Sequence, residues 1–500
     1  MNDSEVGITE KLIKSGCTPF SVPISPSEVH DFEIYASLGR VLREGPMEGK
    51  SYTRAERFRE DFLLANQEVL RGNGATILHA IEKVSPIPGS SGQSSKRRTF
   101  PIVPFVPSIG EVSCFTRQSE KAWNAGAYIR EMILRGSKDF DSAKDLWGKL
   151  FHTYFQPSVS QEKADAWAVF AEESISALSK KLNLVPDDHV FKMRPLENTF
   201  SGDFERGYSS YPARSFVIDL EAILKLNNSL TRRQWVSLVD CHLRISLASD
   251  ILWIYRMSYG LENLIKRIWE VGEVPVISKI RSEIMPDDSF FPMILDGEFF
   301  NLLKREVGNH GSALLFIQNV IRAVREEDEA GLEEVNDLGD LASLEKFLKL
   351  ASKLPSQTIS KIKSDTQKLI DSNPEFSKLS KSKFWTCQHY YALRHALGQR
   401  ATKDKQKTHF DQGYWAKRKG NPWKFSPGPL ALFLMTHLAN EANNGIATAF
   451  ALKSKLGEYG FYCTLSDLCS GEIGEDLRRL GLSADCSDAL GGLIVRSPFK

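Results

Sequence analysis

The stretch that decides the fold is SFVIDLEAILKLNNSLTRRQWVSLVDCHLRISLASDILWIYRMSYGLENLIKRIWEV, residues Ser215 to Val271. Its apolar residues recur at helical spacing and then occupy almost every side, which predicts helices that are buried nearly all round. The polar run 227–229 interrupts this pattern, because such side chains bond their own backbone. We therefore predict one helix over about Ser215 to Asn227 and a second helix capped by Ser229 or Thr231.

The second helix is expected to extend to about Tyr259, as the central layer on which the flanking segments pack. Gly260 is expected to break or bend it before Leu261 to Trp269 continue. The stretch is not a membrane span, because charged residues recur too often within it: Arg244, Asp250 and Arg256.

Composition narrows the class of protein. The 500 residues are 42% hydrophobic and 25% charged, which is ordinary for globular domains with real cores. The 64 basic and 63 acidic residues leave a net charge of +1, so any binding of nucleic acid must come from a local patch. The seven cysteines are scattered, and the N-terminus has no long apolar segment typical of a secretory signal. We expect a cytoplasmic protein with no membrane partner.

The chain is expected to be mainly α, with a multi-helical body and a C-terminal winged-helix-like module of helices and a small β-hairpin. Four regions follow from composition and breakers. They are an N-terminal helical region ending in a Pro/Gly/Ser-rich loop (1–112), a central helical domain (113–350), a basic-aromatic helical or linker segment (351–427) and the module (428–500).

The module is predicted from three helical segments and a hairpin. The helices cover about Leu430 to Ala442, Ala447 to Tyr459 and Glu472 to Leu480, and a turn-rich run at 488–492 suggests a two-stranded wing. In winged helices the third helix commonly enters the major groove. Here that helix begins with carboxylates, which would face phosphates unfavourably: Glu472, Glu475 and Asp476. Docking to a protein is favoured at least as strongly as reading DNA.

Positive charge gathers in residues 378–424, where twelve basic residues oppose two acidic ones and leave a local charge of +10. Aromatic residues are interleaved, and such a pattern suits phosphates and stacked bases. The alternative is a solvated basic linker whose aromatic residues lie in the core. The candidate nucleic-acid-binding residues are Lys403, Lys405, Lys407, Lys417, Arg418, Lys419, Lys424, Trp415 and Trp423.

Short motifs near the C-terminus carry a family resemblance. The ending Leu480-Gly481-Leu482, Ser487-Asp488-Ala489 and Val495-Arg496-Ser497-Pro498-Phe499, behind a helical body, resembles the end of certain defence proteins. These are accessory, non-ATPase proteins of bacterial anti-phage defence islands. The resemblance is confined to this region and implies a role beside ATPase, nuclease or modification subunits. It implies no catalytic residue.

A search for chemistry gives no catalytic residue, no metal site and no cofactor. The sequence has no Walker loop, dinucleotide fingerprint, zinc-protease helix or nucleophile elbow. Cys463 and Cys469 have poor spacing for zinc. Asp187, Asp188 and Lys192 faintly resemble the acidic-plus-lysine core of metal-dependent nucleases, but a second carboxylate-x-lysine is missing.

These patterns favour a non-catalytic subunit of a bacterial anti-phage defence or DNA-processing complex, bridging protein partners and nucleic acid. Its partners would be other subunits, such as an ATPase or a nuclease, with DNA as a further ligand. Two alternatives remain, a purely structural protein–protein scaffold and a divergent metal-dependent nuclease.

Overall fold

A computed structural model describes residues 33–44, 63–65, 125–155, 192–198, 211–285, 298–373, 393, 396–398, 412–418, 423–485 and 493–499. This part of the chain is mainly helical, as the sequence predicts. The helices of the body are α1 (Glu33–Leu42), α2 (Ala125–Gly136), α3 (Phe140–Phe155), α4 (Pro212–Lys225), α5 (Arg232–Val271), α6 (Ile277–Ile284), α7 (Glu298–Glu327), α8 (Glu329–Glu333), α9 (Leu341–Ser352) and α10 (Ser356–Ser372).

The two helices predicted from the deciding stretch are α4 and α5, separated by a 3-10 turn over Leu226–Asn228. Helix α4 starts at Pro212, slightly earlier than predicted, because proline fits the first turn of a helix. Thr231 is the N-cap of α5 and forms a capping box with Gln234. The polar interruption therefore marks the boundary between the helices, as its chemistry predicts.

Of the two expectations for Gly260, a break or a bend, the break is wrong, because α5 runs without interruption through this position from Arg232 to Val271, over 40 residues. A Cβ atom at Gly260 would lie 1.8 Å from the backbone oxygen of Ile284, in the last turn of α6. The glycine therefore permits two backbones to approach closely, and it does not end the helix. The helix ends instead at Gly272, whose φ of 79° is the left-handed conformation that glycine adopts most readily.

Helix α5 is the axis of the core. It contacts α1, α4, α6, α7 and α9 of the body. Trp235, Trp253 and Tyr255 on this helix are each 1% exposed or less, and so are apolar residues on its other sides. Burial all round is confirmed for its middle. None of the helices in the described ranges is long and apolar enough to cross a membrane.

Residues beyond the body form a strand pair and an α/β unit. Strands β1 (Ala416–Arg418) and β2 (Trp423–Phe425) are antiparallel, and β2 packs against α7. The unit contains α11 (Pro429–Ala442), β3 (Ala447–Thr448), α12 (Ala449–Glu458), α13 (Leu465–Cys469), α14 (Glu472–Arg479), β4 (Ser483–Asp485) and β5 (Leu493–Val495). Its three strands are antiparallel in the order β3–β5–β4, and α11 packs on α5.

The unit differs from the prediction in two details. The segment predicted as helical from Ala447 begins with β3, and Thr448 then caps α12. Helix α13 was not predicted, although Thr464 and Asp467 form a capping box at its start. The predicted turn at 488–492 lies outside the described residues, but the two strands on either side of it are paired.

Candidate functional site

The predicted nucleic-acid site is described in part. Lys403, Lys405, Lys407 and Lys419 lie outside the described residues. The strand pair brings Lys417 opposite Lys424, so these two side chains project from the same face. Arg418 and Trp423 are also opposite each other in the register. The strand pair thus gathers four of the nine predicted residues in one hairpin-like structure.

Trp415 is a core residue, which corrects its assignment as a base-stacking side chain. It is 0% exposed, and its indole N–H donates to the backbone oxygen of Cys241 at 3.3 Å. Its ring stacks on Phe461 with 5.8 Å between centroids. A buried tryptophan needs such a partner for its N–H group. The alternative of aromatic residues in the core therefore holds at this position.

Lys424 forms an ion pair with Glu472 at the start of α14. The lysine side chain is 18% exposed and the glutamate side chain is 60% exposed. The strand pair therefore lies beside α14, and a carboxylate of that helix offsets the charge of Lys424. Because Lys417 and Lys424 face each other, this carboxylate also relieves a repulsion between like charges.

A buried polar network joins the body to the C-terminal unit. Asp219 on α4 accepts from Lys455 Nζ at 2.8 Å and from the Tyr459 hydroxyl at 2.6 Å. The Tyr459 oxygen lies 2.9 Å from Nε2 of His242 on α5. Lys455 also pairs with Glu458 at 2.7 Å. Helices α4 and α12 therefore meet at one carboxylate, and α5 is joined to it through the Tyr459 hydroxyl.

Burial sets the electrostatics of this network. It lowers the pKa of His242 to about 3, with a smaller contribution from the nearby Lys455 charge. Burial raises the pKa of Tyr459 well above its usual range, and the adjacent Asp219 carboxylate acts in the same direction. Burial also raises the pKa of Asp219, against the opposing effects of Lys455 and the Tyr459 hydroxyl. His242 is therefore neutral at ordinary pH.

A second buried network lies further along α5. Asp250 accepts from the Tyr128 hydroxyl at 2.6 Å and from Arg135 at 2.8 Å. Arg135 also donates to the Tyr211 hydroxyl at 2.6 Å. Both charged side chains are 1% exposed or less. The network ties α2 and the start of α4 to the central helix.

These two networks are structural by their geometry. Asp219, His242, Lys455 and Tyr459 are each 4% exposed or less, so a substrate in solvent does not reach them. A buried charge needs a partner, and each network supplies one. Sequence reasoning missed both, because the partners are distant along the chain: 240 residues separate Asp219 from Tyr459. Helical spacing carries no signal for such pairs.

The remaining candidates for chemistry give little. In the part of the chain that the structure describes, no group of three or more His, Cys, Asp or Glu side chains is placed to hold a metal ion. Burial raises the pKa of Cys463 to about 12, which makes its thiol unreactive. Asp187 and Asp188 lie outside the described residues, and Lys192 is exposed.

Comparison with known proteins leaves the chain without an assigned family. No protein-family description matches the sequence, and no curated protein matches it.

Proposed function

We propose that this protein is a non-catalytic subunit of a larger assembly, that its C-terminal unit is a winged helix, and that it bridges protein partners and nucleic acid. Two features support the winged-helix assignment. The elements follow one another in the order α11, β3, α12, α13, α14, β4 and β5, and the strands lie side by side in the order β3–β5–β4. The partners fitting the sequence resemblance are other subunits of a defence complex, such as an ATPase or a nuclease.

The observation that carries the nucleic-acid half is the register of the strand pair, which sets Lys417 opposite Lys424 on one face. The ion pair of Lys424 with Glu472 sets this strand pair beside α14 of the C-terminal unit. Phosphates would meet the strand pair, through Lys417, Arg418 and the basic residues between and before the strands. Helix α14, which the sequence predicts as the third helix of the module, is not the reader in this proposal, because Glu472 and Glu475 lie at its start.

The bridging role also needs a rigid link between the module and the body. Lys455 and Tyr459 supply it, because both bond Asp219 in the core. The module is therefore bonded to α4 through Asp219 and to α5 through His242, at buried contacts. Such a link suits a subunit that holds partners in fixed relative positions.

Fluorescence anisotropy with labelled duplex DNA, single-stranded DNA and RNA tests the nucleic-acid half. We expect binding that weakens with salt, with a slope of log K against log salt near −0.9 for each duplex phosphate neutralised. A charge-reversed variant, with glutamate at four basic positions, should bind at least about 10-fold more weakly and with a shallower slope. Those four positions are Lys405, Lys407, Arg418 and Lys419.

The matched control reverses four exposed lysines on α6 and α10, which changes the net charge by the same amount: Lys279, Lys361, Lys363 and Lys368. It should keep most of the wild-type affinity, because a local patch and not the net charge is responsible. If the wild type binds none of the three nucleic acids, the nucleic-acid half is wrong. Equal losses in both variants would also contradict it.

The purely structural scaffold is the second candidate. The burial of Trp415 and the pairing of Lys424 with Glu472 favour it, because they remove two predicted contacts from nucleic acid. A scaffold would form a stable complex with the products of neighbouring genes when they are co-expressed and co-purified. It would show no affinity for nucleic acid in the anisotropy assay, alone or in that complex.

A further inference from the structure

One ion pair joins the strand pair to α14 and engages one of its two facing lysines. Lys424 of β2 donates to the carboxylate of Glu472, the first residue of α14. Lys417, opposite Lys424 in the register, makes no ion pair within the described part of the chain. One of the facing lysines is therefore neutralised by the chain itself, and the other carries an uncompensated charge.

Both partners of this ion pair stand on elements that packing holds in place. Phe425, the neighbour of Lys424 in β2, is 3% exposed, and its ring stacks on Phe461 with 4.2 Å between centroids. On α14, Ile473 and Leu477 are buried. Because the two backbones are already anchored, the ion pair forms without ordering either of them. Packing thus keeps the carboxylate within reach of the ammonium group.

The two side chains differ in exposure, and this decides which of them can leave. The Lys424 side chain is 18% exposed, and the Glu472 side chain is 60% exposed. A released carboxylate is hydrated, and it stays in the first turn of α14, where the helix dipole stabilises a negative charge. The ammonium group stays on the strand, because its stem is mostly covered. An incoming anion therefore displaces the carboxylate and meets the lysine in place.

We propose that Glu472 competes with nucleic-acid phosphate for Lys424, so that it limits how tightly the strand pair binds. This inference rests on the proposed nucleic-acid binding and names a residue that regulates it. Carboxylate and phosphate oxygens both accept charge-assisted hydrogen bonds from an ammonium group, so they compete for the same donor. In the free protein Lys424 pairs with Glu472. In the complex it pairs with a phosphate, beside Lys417 on the same face.

Glu475 provides a matched control on the same helix. It is exposed and lies in the first turn of α14, as Glu472 does. Its carboxylate makes no ion pair among the residues that the structure describes. Glu475→Gln and Glu472→Gln therefore remove the same charge from the same end of the helix, but only Glu472→Gln releases Lys424.

Fluorescence anisotropy of the full chain with duplex DNA, single-stranded DNA and RNA tests the proposal. Glu472→Gln should lower the Kd by about 3- to 5-fold, the factor that corresponds to the upper range of exposed ion pairs. On duplex DNA its slope of log K against log salt should steepen by about 0.9, because one more phosphate is neutralised. Glu475→Gln should lower the Kd by less than about 2-fold, through the screened field alone.

A double variant separates competition for Lys424 from a general effect of charge. Lys424→Gln removes the group for which carboxylate and phosphate compete, so adding Glu472→Gln to it should change the Kd by less than about 2-fold. An equal gain from Glu472→Gln in both backgrounds would overturn the proposal, because Glu472 would then act by repulsion and not through Lys424. Circular dichroism should show unchanged helix content in every variant, since the ion pair lies at the surface.

Failure of this proposal is distinguishable from failure of nucleic-acid binding. If the wild type binds and Glu472→Gln binds no more tightly than Glu475→Gln, the competition is refuted and the binding stands. If neither the wild type nor Glu472→Gln binds any of the three nucleic acids, the binding is refuted, and the competition with it. Binding by Glu472→Gln at concentrations where the wild type shows none would support both.

Discussion

Replacing Lys455 by methionine is the sharpest test of how the C-terminal unit is held. Methionine keeps most of the apolar stem but removes the ammonium group, which lies 2.8 Å from an Asp219 oxygen. The two side chains are 5% and 4% exposed, so solvent does not replace the lost partner. Removing one member of such a buried pair costs about 3–5 kcal/mol of unfolding free energy. The Tyr459 hydroxyl, at 2.6 Å, remains as one donor to the carboxylate.

Urea-induced unfolding, followed by far-UV circular dichroism at pH 7, measures this loss. Lys368→Met is the control, because its pair with Asp365 is exposed, with side chains 74% and 42% accessible. That variant should lose no more than about 1 kcal/mol. The double variant Asp219→Asn with Lys455→Met should recover part of the loss, because no unpaired charge remains in the core.

The measurement refutes the reasoning if Lys455→Met costs less than about 1 kcal/mol, the range of an exposed pair. A double variant less stable than Lys455→Met alone would also contradict it. In that case the stability of the contact would come from shape and apolar packing. The Asp219 carboxylate would then contribute little to the unfolding free energy.

Two further predictions concern the central helix. Gly260→Ala should lower the unfolding free energy by about 1–3 kcal/mol, because the new Cβ would overlap the Ile284 oxygen at 1.8 Å. Gly148→Ala on α3, where a Cβ meets nothing within 4 Å, should instead raise the unfolding free energy by about 0.5–1 kcal/mol. A lower unfolding free energy for the Gly148 variant, or a higher one for the Gly260 variant, would contradict the packing argument. The pKa of His242 is about 3 in the folded chain, against an ordinary value of 6.5 in the unfolded chain. Between pH 6.5 and 3 the unfolded chain therefore binds more protons than the folded chain, so the unfolding free energy falls as the pH drops. His242→Gln should reduce the slope of unfolding free energy against pH by up to about 1.4 kcal/mol per pH unit in that window; an unchanged slope in urea titrations would assign the acid sensitivity to other groups.

The helical core could be predicted from the sequence because its signals are local. Apolar spacing and the polar run at 227–229 located α4 and α5, and the Thr231 cap was among the predicted ones. The Gly260 break was wrong for a physical reason. In a sequence, a glycine that ends a helix cannot be told from a glycine that lets a neighbouring backbone pack closely against the helix. Only the position of the Ile284 backbone in the structure shows that Gly260 has the second role.

The candidate nucleic-acid site was harder to predict, because segment charge and surface charge differ. Trp415 and Lys424 belong to the same basic stretch, but one is in the core and the other pairs with Glu472. No local pattern separates a tryptophan that stacks on Phe461 from one that faces solvent. The strand pair is short, and its register depends on contacts with other elements.

The sequence by itself determined the helical class, the boundary between the central helices and the outline of the C-terminal helices, because each depends on neighbours along the chain. Tertiary structure alone decided the partners of the buried carboxylates Asp219 and Asp250. Asp219 meets Lys455 and Tyr459 across more than 230 residues, and Asp250 meets Arg135 across 115. A buried charge is stabilised by whichever partner the fold brings within hydrogen-bonding distance, and periodicity along one helix does not encode that partner.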